Sequence, residues 1–87
     1  MEMNFSDKAI NDRDFWLKSG NKKIQGKITE LLKSIQLTPY SGIGKPEPLK
    51  YALSGNWSRR INHEHRLVYH VDEEGQIITI LSLRGHY

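Results

Sequence analysis

Three side chains in the second half of the chain have the types needed for acid–base chemistry on a phosphodiester: Glu47, Arg66 and His86. A carboxylate can remove a proton, a guanidinium can stabilise growing phosphate charge, and an imidazolium can protonate a leaving oxygen. RNA carries its own nucleophile, the 2′-hydroxyl, so this set can in principle cleave it without a metal ion. The alternative is that the three residues lie on the surface of a small domain with no joint purpose.

The candidate base is flanked by two of the three prolines in the chain, Pro46 and Pro48. Proline fixes its own φ and disfavours helical geometry in the residue before it. The sequence therefore predicts extended backbone at both Lys45 and Glu47, so that the carboxylate is oriented by its own chain. A stiff surface loop whose glutamate simply faces water is the other interpretation.

Basic residues are concentrated in the same central region. The net charge is +3 and the isoelectric point is near 9.3, which favours a polyanionic partner only modestly. Between residues 45 and 66 the only acids are Glu47 and Glu64, whereas the basic residues are Lys45, Lys50, Arg59, Arg60 and Arg66. Lys50, Arg59 and Arg60 are candidates for holding a nucleic-acid backbone, although the two arginines could also form a solvated stripe.

Length and composition indicate one domain spanning residues 1–87. Hydrophobic residues make up 37% of the chain and charged residues 26%, which is an ordinary globular balance. Zero cysteines exclude disulfides and thiolate metal sites, and a reducing cytoplasm is the expected setting. Neither a signal peptide nor a membrane-spanning run of about 20 apolar residues is visible, so no membrane partner is expected.

The first half of the chain has helical periodicity. Ser6 is a candidate N-cap for a helix that ends at Gly20, and Asn21 can cap a second helix that ends before Pro39. The second helix carries a continuous apolar stripe, formed by Ile24, Ile28, Leu31, Leu32 and Ile35. The pattern predicts a helical hairpin with one face to bury.

The second half changes to strand periodicity in the runs WSRRI, RLVYHV and QIITILSL. Short gaps between these runs favour antiparallel pairing, so the predicted fold class is α+β, with two helices packed on a small twisted antiparallel sheet. Strand parity places Leu81 and Leu83 on the apolar face and Ser82, Arg84 and His86 on the opposite one. Parity also favours Arg60 over Arg59 as a neighbour of Arg66 on that opposite face.

The remaining histidines and aromatic residues have less specific patterns. His63 and His65 form an H-x-H pair in a predicted turn, where solvated or RNA-facing roles are favoured over a zinc site. His70 is expected on the strand surface. Trp16, Trp57 and Tyr69 are expected to pack in or beside the core, Tyr87 is the aromatic expected near RNA, and Tyr40 and Tyr51 have no assigned role.

The runs GKPEPLK, LSGNWSRRI and EHRLVYHV, with the terminal HY, resemble the YoeB family of bacterial toxins within the RelE-like group. The resemblance covers essentially the whole chain. It implies a RelE-like, microbial-ribonuclease-like fold and a ribosome-dependent endoribonuclease that cuts messenger RNA in the A site without a cofactor. It also implies a homodimer, a YefM-like antitoxin as partner, and contact with DNA only indirectly through the antitoxin complex.

Position by position, the resemblance assigns roles to individual residues. Glu47 matches the general base, Arg66 the phosphate-binding arginine, His86 the general acid and Tyr87 the terminal tyrosine. Lys50 and Arg60 match basic positions that hold RNA. The departure is Gly85, where an aromatic residue often precedes the HY pair, so the bracing of the last two residues is left open.

Two other functions stay open on the residues alone. A basic α/β module could grip RNA or an acidic partner and block translation without cutting. A DNA-binding repressor acting alone is disfavoured, since no helix-turn-helix signature with a basic recognition helix is visible.

Overall fold

The computed structural model describes residues 1–50 and 55–85. Its elements, in chain order, are β1 (Glu2–Phe5), α1 (Asp7–Ser19), α2 (Lys22–Leu37), β2 (Glu47–Pro48), β3 (Asn56–Arg60), β4 (Arg66–Asp72) and β5 (Ile77–Ser82). The strands form one five-stranded sheet in the order β1-β5-β4-β3-β2. The two helices pack on this sheet, and in the described ranges no helix has both the length and the apolarity to cross a bilayer.

Both helices begin where the sequence predicts. The Ser6 hydroxyl accepts a hydrogen bond from the Ala9 amide at 3.1 Å, and the Asn21 side chain accepts one from the Ile24 amide at 3.1 Å. These bonds give partners to amides that the first turn of a helix would otherwise leave unpaired. Gly20 ends α1 with φ of +71°, the left-handed conformation that glycine adopts most easily.

The core forms between the apolar stripe of α2 and one face of the sheet. Ile24, Ile28, Leu31 and Ile35 are buried, as the periodicity predicts, whereas Leu32 is only partly buried. They form one cluster with side chains of α1, β4 and β5, among which are Ala9, Trp16, Leu67, Tyr69, Ile78 and Ile80. One face of the sheet therefore packs against the helices. The opposite face carries polar side chains of β2, β3 and β4.

The sheet is mixed, so the prediction of a purely antiparallel sheet is wrong at one edge. β1 pairs in parallel with β5, from Glu2 opposite Ile77 to Phe5 opposite Ile80. The run EMNF is short and half polar, and its pairing depends on a strand more than 70 residues away. No local pattern reveals such a long-range partner, which explains why the strand was missed.

A register shift in β5 alters the predicted parity of the last strand. Val68 pairs with Ser82 but Tyr69 pairs with Ile80, so Leu81 is an extra residue in the ladder. The core residues here are consequently Ile78 and Ile80 of β5 and Leu83 directly after it, whereas Leu81 is only partly buried. The prediction that Leu81 and Leu83 alternate regularly on one face is wrong because a bulge lies between the two halves of the strand.

Candidate active site

Strand register brings three of the predicted site residues to the sheet face opposite the helices. Glu47 of β2 is paired with Ser58 of β3, which is paired with Val68 of β4. Two residues further along β3, Arg60 is paired with Arg66. Directly paired residues, and residues two apart on a strand, point to the same side of a sheet. Glu47, Arg60 and Arg66 therefore share one face.

The spacing of these residues suits a phosphate-sized group. Glu47 lies two strands from Arg66, which separates their backbones by roughly 10 Å across the sheet because neighbouring strands are about 4.8 Å apart. Ser58 and Val68 are buried between them and form a small uncharged floor. Glu47 and Arg60 are exposed and Arg66 is partly buried. A carboxylate and two guanidiniums across such a floor can bind an anion and exchange a proton beside it.

The backbone around Glu47 confirms one prediction and corrects another. Glu47 is extended and pairs with β3, as its place between two prolines predicts. Lys45, however, has φ of +52°, so the prediction of extended geometry there is wrong. Lys45 follows Gly44, which has φ of +81°, and this pair of left-handed residues turns the chain so that Glu47 meets Ser58. Lys45 and Lys50 are both exposed, one on each side of β2.

The loop formed by residues 38–46, which leads into Glu47, is fastened to the buried side chain of Arg59. The guanidinium donates to the carbonyl oxygens of Thr38 at 2.7 Å, Ser41 at 2.9 Å and Ile43 at 3.2 Å. It also donates to the Ser34 hydroxyl at 2.6 Å. The Arg60 amide donates to the Gly44 carbonyl at 2.7 Å. One arginine thus binds the loop at three of its backbone carbonyls.

Arg59 is therefore not available to RNA, and its predicted role in holding a nucleic-acid backbone is wrong. Its side chain is fully buried, because it lies on the core face with its Nε 3.1 Å from the hydroxyl of Tyr69. That hydroxyl donates in turn to the carbonyl of Pro39, so Tyr69 also ties down the loop. Burial raises the pKa of the Tyr69 phenol, although the neighbouring Arg59 opposes the shift.

The segment formed by residues 82–85, which leads into His86, is held mainly by side chains of α1. The buried Asp12 carboxylate accepts from the Leu83 amide at 3.0 Å, and the Trp16 indole donates to the Leu83 carbonyl at 2.8 Å. Lys8 donates to the Ser82 hydroxyl at 3.0 Å and pairs with Asp12 at 2.7 Å. Ser82 is paired with Val68 of the sheet face opposite the helices, as parity predicts, but its hydroxyl is bound by side chains of α1.

Arg84 and Gly85 complete this segment. The Arg84 guanidinium lies over the ring of Phe15, and its Cζ is 3.6 Å from the ring centroid. Arg84 therefore contacts α1 rather than the sheet face opposite the helices. Gly85 has φ of +102°, its amide donates to Nδ1 of His65 at 3.0 Å, and its carbonyl accepts from the Arg66 amide at 2.7 Å. His86 and Tyr87 lie outside the described residues.

The histidines differ in their surroundings. His65 is mostly buried, with 16% of its side chain exposed and its ring 5.0 Å from that of Trp16. The prediction of a solvated or RNA-facing His65 is therefore wrong, whereas His63 is exposed. His70 is partly buried, with Nδ1 2.9 Å from Oδ1 of Asn56. Within residues 1–50 and 55–85, no cluster of three or more His, Cys, Asp or Glu residues is placed to hold a metal.

Sequence reasoning missed Asp12 and His65, which hydrogen-bond the backbone of the segment 82–85. Asp12 carries a recognisable signal, because it lies three residues after Ala9 and four before Trp16, on the buried stripe of α1. A carboxylate on such a stripe needs a hydrogen-bond partner. No comparable signal marks His65, whose partner Gly85 is 20 residues away.

Residues 5–87 match the family model described as a YoeB-like toxin of bacterial type II toxin-antitoxin systems. Toxin YoeB of Escherichia coli K12 is 46% identical over 87 residues, which cover all of both chains. Toxin RelK of Mycobacterium tuberculosis H37Rv is 49% identical over 85 residues, 98% of this chain and 96% of that protein.

Solved structures of similar proteins have the same fold. A YoeB/ParE toxin from Agrobacterium tumefaciens superposes with a TM-score of 0.92 at 39% identity, with all of both chains covered. A YoeB dimer from Staphylococcus aureus gives 0.86 at 49% identity, and a YoeB-YefM complex from the same organism gives 0.85 at 50%; each comparison covers all of this chain and 98% of the other. The predicted α+β, RelE-like fold class is confirmed.

Proposed function

The chain belongs to the family of YoeB-like toxins of bacterial type II toxin-antitoxin systems, and from this premise we propose that it is a ribosome-dependent endoribonuclease. In this proposal the protein enters the decoding site of the ribosome in the bacterial cytoplasm, cleaves the bound messenger RNA and stops translation. The observation that carries the proposal is the register that sets Glu47 and Arg66 on one face of the sheet, two strands apart.

The proposed reaction is a metal-independent transesterification at one phosphodiester. Glu47 removes the proton of the 2′-hydroxyl, the 2′-oxygen attacks phosphorus, and the bond from phosphorus to the 5′-oxygen breaks. His86 delivers a proton to the departing 5′-oxygen, so the products carry a 2′,3′-cyclic phosphate and a 5′-hydroxyl. Arg66 balances the charge that accumulates on the phosphoryl oxygens, a task that suits the two-pronged guanidinium.

The surrounding basic residues have a positioning role in this proposal. Arg60 is paired with Arg66 and exposed on the same face, where it can contact the phosphate next to the scissile one. Lys45 and Lys50 are exposed at the two ends of β2 and extend the positive charge along the RNA path. Tyr87 is proposed to contact a base near the cleaved bond.

The partners are proposed by extension from the relatives. The Staphylococcus aureus proteins form a YoeB dimer and a YoeB-YefM complex. We accordingly expect this chain to form a homodimer, to bind a YefM-like antitoxin, and to meet DNA only within the antitoxin complex.

A translation reaction with purified protein, ribosomes and a defined messenger RNA tests the function. We expect new 5′ ends inside the codon in the A site, dependent on ribosomes, and none where the nucleotide on the 5′ side of the cut carries a 2′-deoxy sugar. Glu47→Gln keeps the shape of the base but cannot accept the proton, so the rate should fall by about 10²- to 10⁴-fold. Glu74→Gln, an exposed carboxylate in the turn after β4, is the matched control.

The competing function is a non-catalytic module that blocks the ribosome by occupancy. In that case translation stops without new 5′ ends, and Glu47→Gln inhibits as strongly as the wild-type protein. Cleavage of the 2′-deoxy substrate at the normal rate would also contradict the proposed chemistry, because no internal nucleophile would remain.

A further inference from the structure

Gly85 is the last described residue before the proposed acid, and its backbone is held on both sides. Its amide donates to Nδ1 of His65 at 3.0 Å, and its carbonyl accepts from the amide of Arg66 at 2.7 Å. His65 and Arg66, where β4 begins, thus hydrogen-bond both backbone polar groups of Gly85. Gly85 has φ of +102°, a region that residues with side chains rarely adopt, and it takes part in both bonds through its backbone.

The imidazole that makes one of these two hydrogen bonds is itself fixed. Its ring meets the indole of Trp16 edge to face at 5.0 Å. The backbone of His65 is set by a tight turn, in which its amide donates to Oδ1 of Asn62 at 2.7 Å and its carbonyl accepts from the amide of Ile61 at 2.9 Å. His65 has therefore little freedom in either its ring or its main chain.

The direction of the hydrogen bond defines the tautomer. The Gly85 amide can only donate, so Nδ1 of His65 must be the acceptor, and the ring proton lies on Nε2. Nε2 is 3.3 Å from a carboxylate oxygen of Glu64, which can accept that proton's hydrogen bond. The ring thus links the turn between β3 and β4 to Gly85.

From these contacts we propose that His65 is a positioning residue for the RNA-cleavage site. Its Nδ1 sets the backbone of Gly85, the residue directly before His86. This inference rests on the proposed function, since it assigns His65 a share in orienting the acid. His65 touches neither substrate nor reacting atoms in this role, and acts only through Gly85.

Glycine at position 85 offers no side chain for packing. The described contacts that hold it are the two backbone hydrogen bonds, to His65 and to Arg66. The geometry of a reacting group matters strongly, because a displacement of about 1 Å can lower a rate by roughly 100-fold.

Two substitutions separate the hydrogen bond from the packing. His65→Phe keeps an aromatic ring against Trp16 but removes the acceptor. His65→Asn removes the ring but places an amide oxygen close to the former position of Nδ1. We expect kcat for messenger-RNA cleavage to fall by about 10- to 100-fold in His65→Phe, with KM within about threefold of wild type, and to be largely restored in His65→Asn. A role in packing alone predicts the reverse order.

An activity-independent measurement accompanies the kinetics. The amide of Gly85 is followed by NMR, and in His65→Phe its resonance should shift and its hydrogen exchange accelerate, while amides of α2 stay unchanged. An unaltered Gly85 amide in His65→Phe, or full turnover by that variant, would overturn the inference. If the wild-type protein itself cleaves nothing, the catalytic part fails together with the proposed function, and the Gly85 amide decides separately whether the hydrogen bond to His65 exists.

Discussion

The two segments that lead into the candidate base and the candidate acid are held in different ways. The loop 38–46, before Glu47, is fastened from beneath by one buried guanidinium that binds three of its carbonyls. The segment 82–85, before His86, is held from the side by Asp12, Trp16 and His65, which belong to two separate parts of the chain. The first attachment is concentrated in Arg59, to which Tyr69 adds one hydrogen bond, and the second is distributed over several side chains.

The difference arises from the hydrogen-bond donors and acceptors that the backbone of each segment can reach. The loop lies against the buried side chain of Arg59, and this arginine supplies several donors to its carbonyls in a rigid planar group. Burying that charge is costly, and the hydrogen bonds to carbonyls and hydroxyls offset the cost. The segment 82–85 continues a strand beside α1, so ordinary helix side chains reach its backbone one bond at a time. Removing one anchoring side chain should therefore lower the free energy of unfolding more in the loop than in the segment 82–85.

The largest effect is expected from Arg59→Met, which keeps much of the side-chain volume and removes every donor. Three carbonyls of the loop and the Ser34 hydroxyl lose the donors of Arg59, although the carbonyls of Thr38 and Ser41 each keep one other donor. We expect the free energy of unfolding to fall by about 3 kcal/mol or more. Urea unfolding followed by tryptophan fluorescence measures this. Hydrogen exchange at the Arg60 amide, which donates to Gly44, should also accelerate because the loop is released.

The neighbouring arginine provides the matched control. Arg60 is exposed, so Arg60→Met should change the free energy of unfolding by no more than about 0.5 kcal/mol while it weakens RNA binding. Equal stability of the two methionine variants would show that the loop does not depend on its buried guanidinium. The attachment through Arg59 would then contribute nothing to the free energy of unfolding.

A smaller effect is expected from Asp12→Ala in the distributed attachment. The Leu83 amide loses its acceptor in a buried place, which costs about 1–3 kcal/mol, while Trp16 still holds the Leu83 carbonyl. Asp14→Ala is the control, because Asp14 is exposed on the same helix and both changes alter helix propensity equally. The difference between the two variants in urea unfolding reports the buried hydrogen bond to Leu83 together with the ion pair of Asp12 and Lys8. If Asp12→Ala is destabilised more than Arg59→Met, the ranking of the two attachments is wrong.

Local signals allowed much of the fold to be predicted from the sequence. The caps at Ser6, Gly20 and Asn21 act within three residues of the helix ends, and the stripe of α2 repeats at helical spacing. The strands β3, β4 and β5 are rich in β-branched and aromatic residues, and turns separate them. By contrast, β1 depends on a distant partner, and the shift at Leu81 depends on how two strands align, which periodicity alone does not encode.

The site was predictable in its chemistry but not in its supports. Glu47, Arg60 and Arg66 fall on one face because strand alternation is a local rule. The prediction for Arg59 is wrong because charged side chains are seldom fully buried, so its place on the core side of β3 does not by itself indicate burial. The turn at Lys45 and the contact of His65 with Gly85 arise from tertiary packing, which has no signature in either segment by itself.

The smallest effect concerns the outer side of the loop, where the hydroxyl of Tyr40 donates to a carboxylate oxygen of Glu73. This bond and the carboxylate charge raise the pKa of Tyr40 to about 12, because ionisation of the phenol would break the bond and face a like charge. A raised pKa means that the stabilisation is complete below about pH 10, the ordinary tyrosine value, and is lost as the pH rises through about 12.

Absorbance at 295 nm during an alkaline titration should therefore show Tyr40 ionising near pH 12, identified by difference against Tyr40→Phe. Glu73→Gln should lower the pKa of Tyr40 towards 10, since it removes the charge. Because Tyr40 is exposed, Tyr40→Phe should alter unfolding at neutral pH by less than about 0.5 kcal/mol. A loss comparable to that of Arg59→Met would mean that the loop is held from its outer side as well, and the contrast between a concentrated and a distributed attachment would disappear.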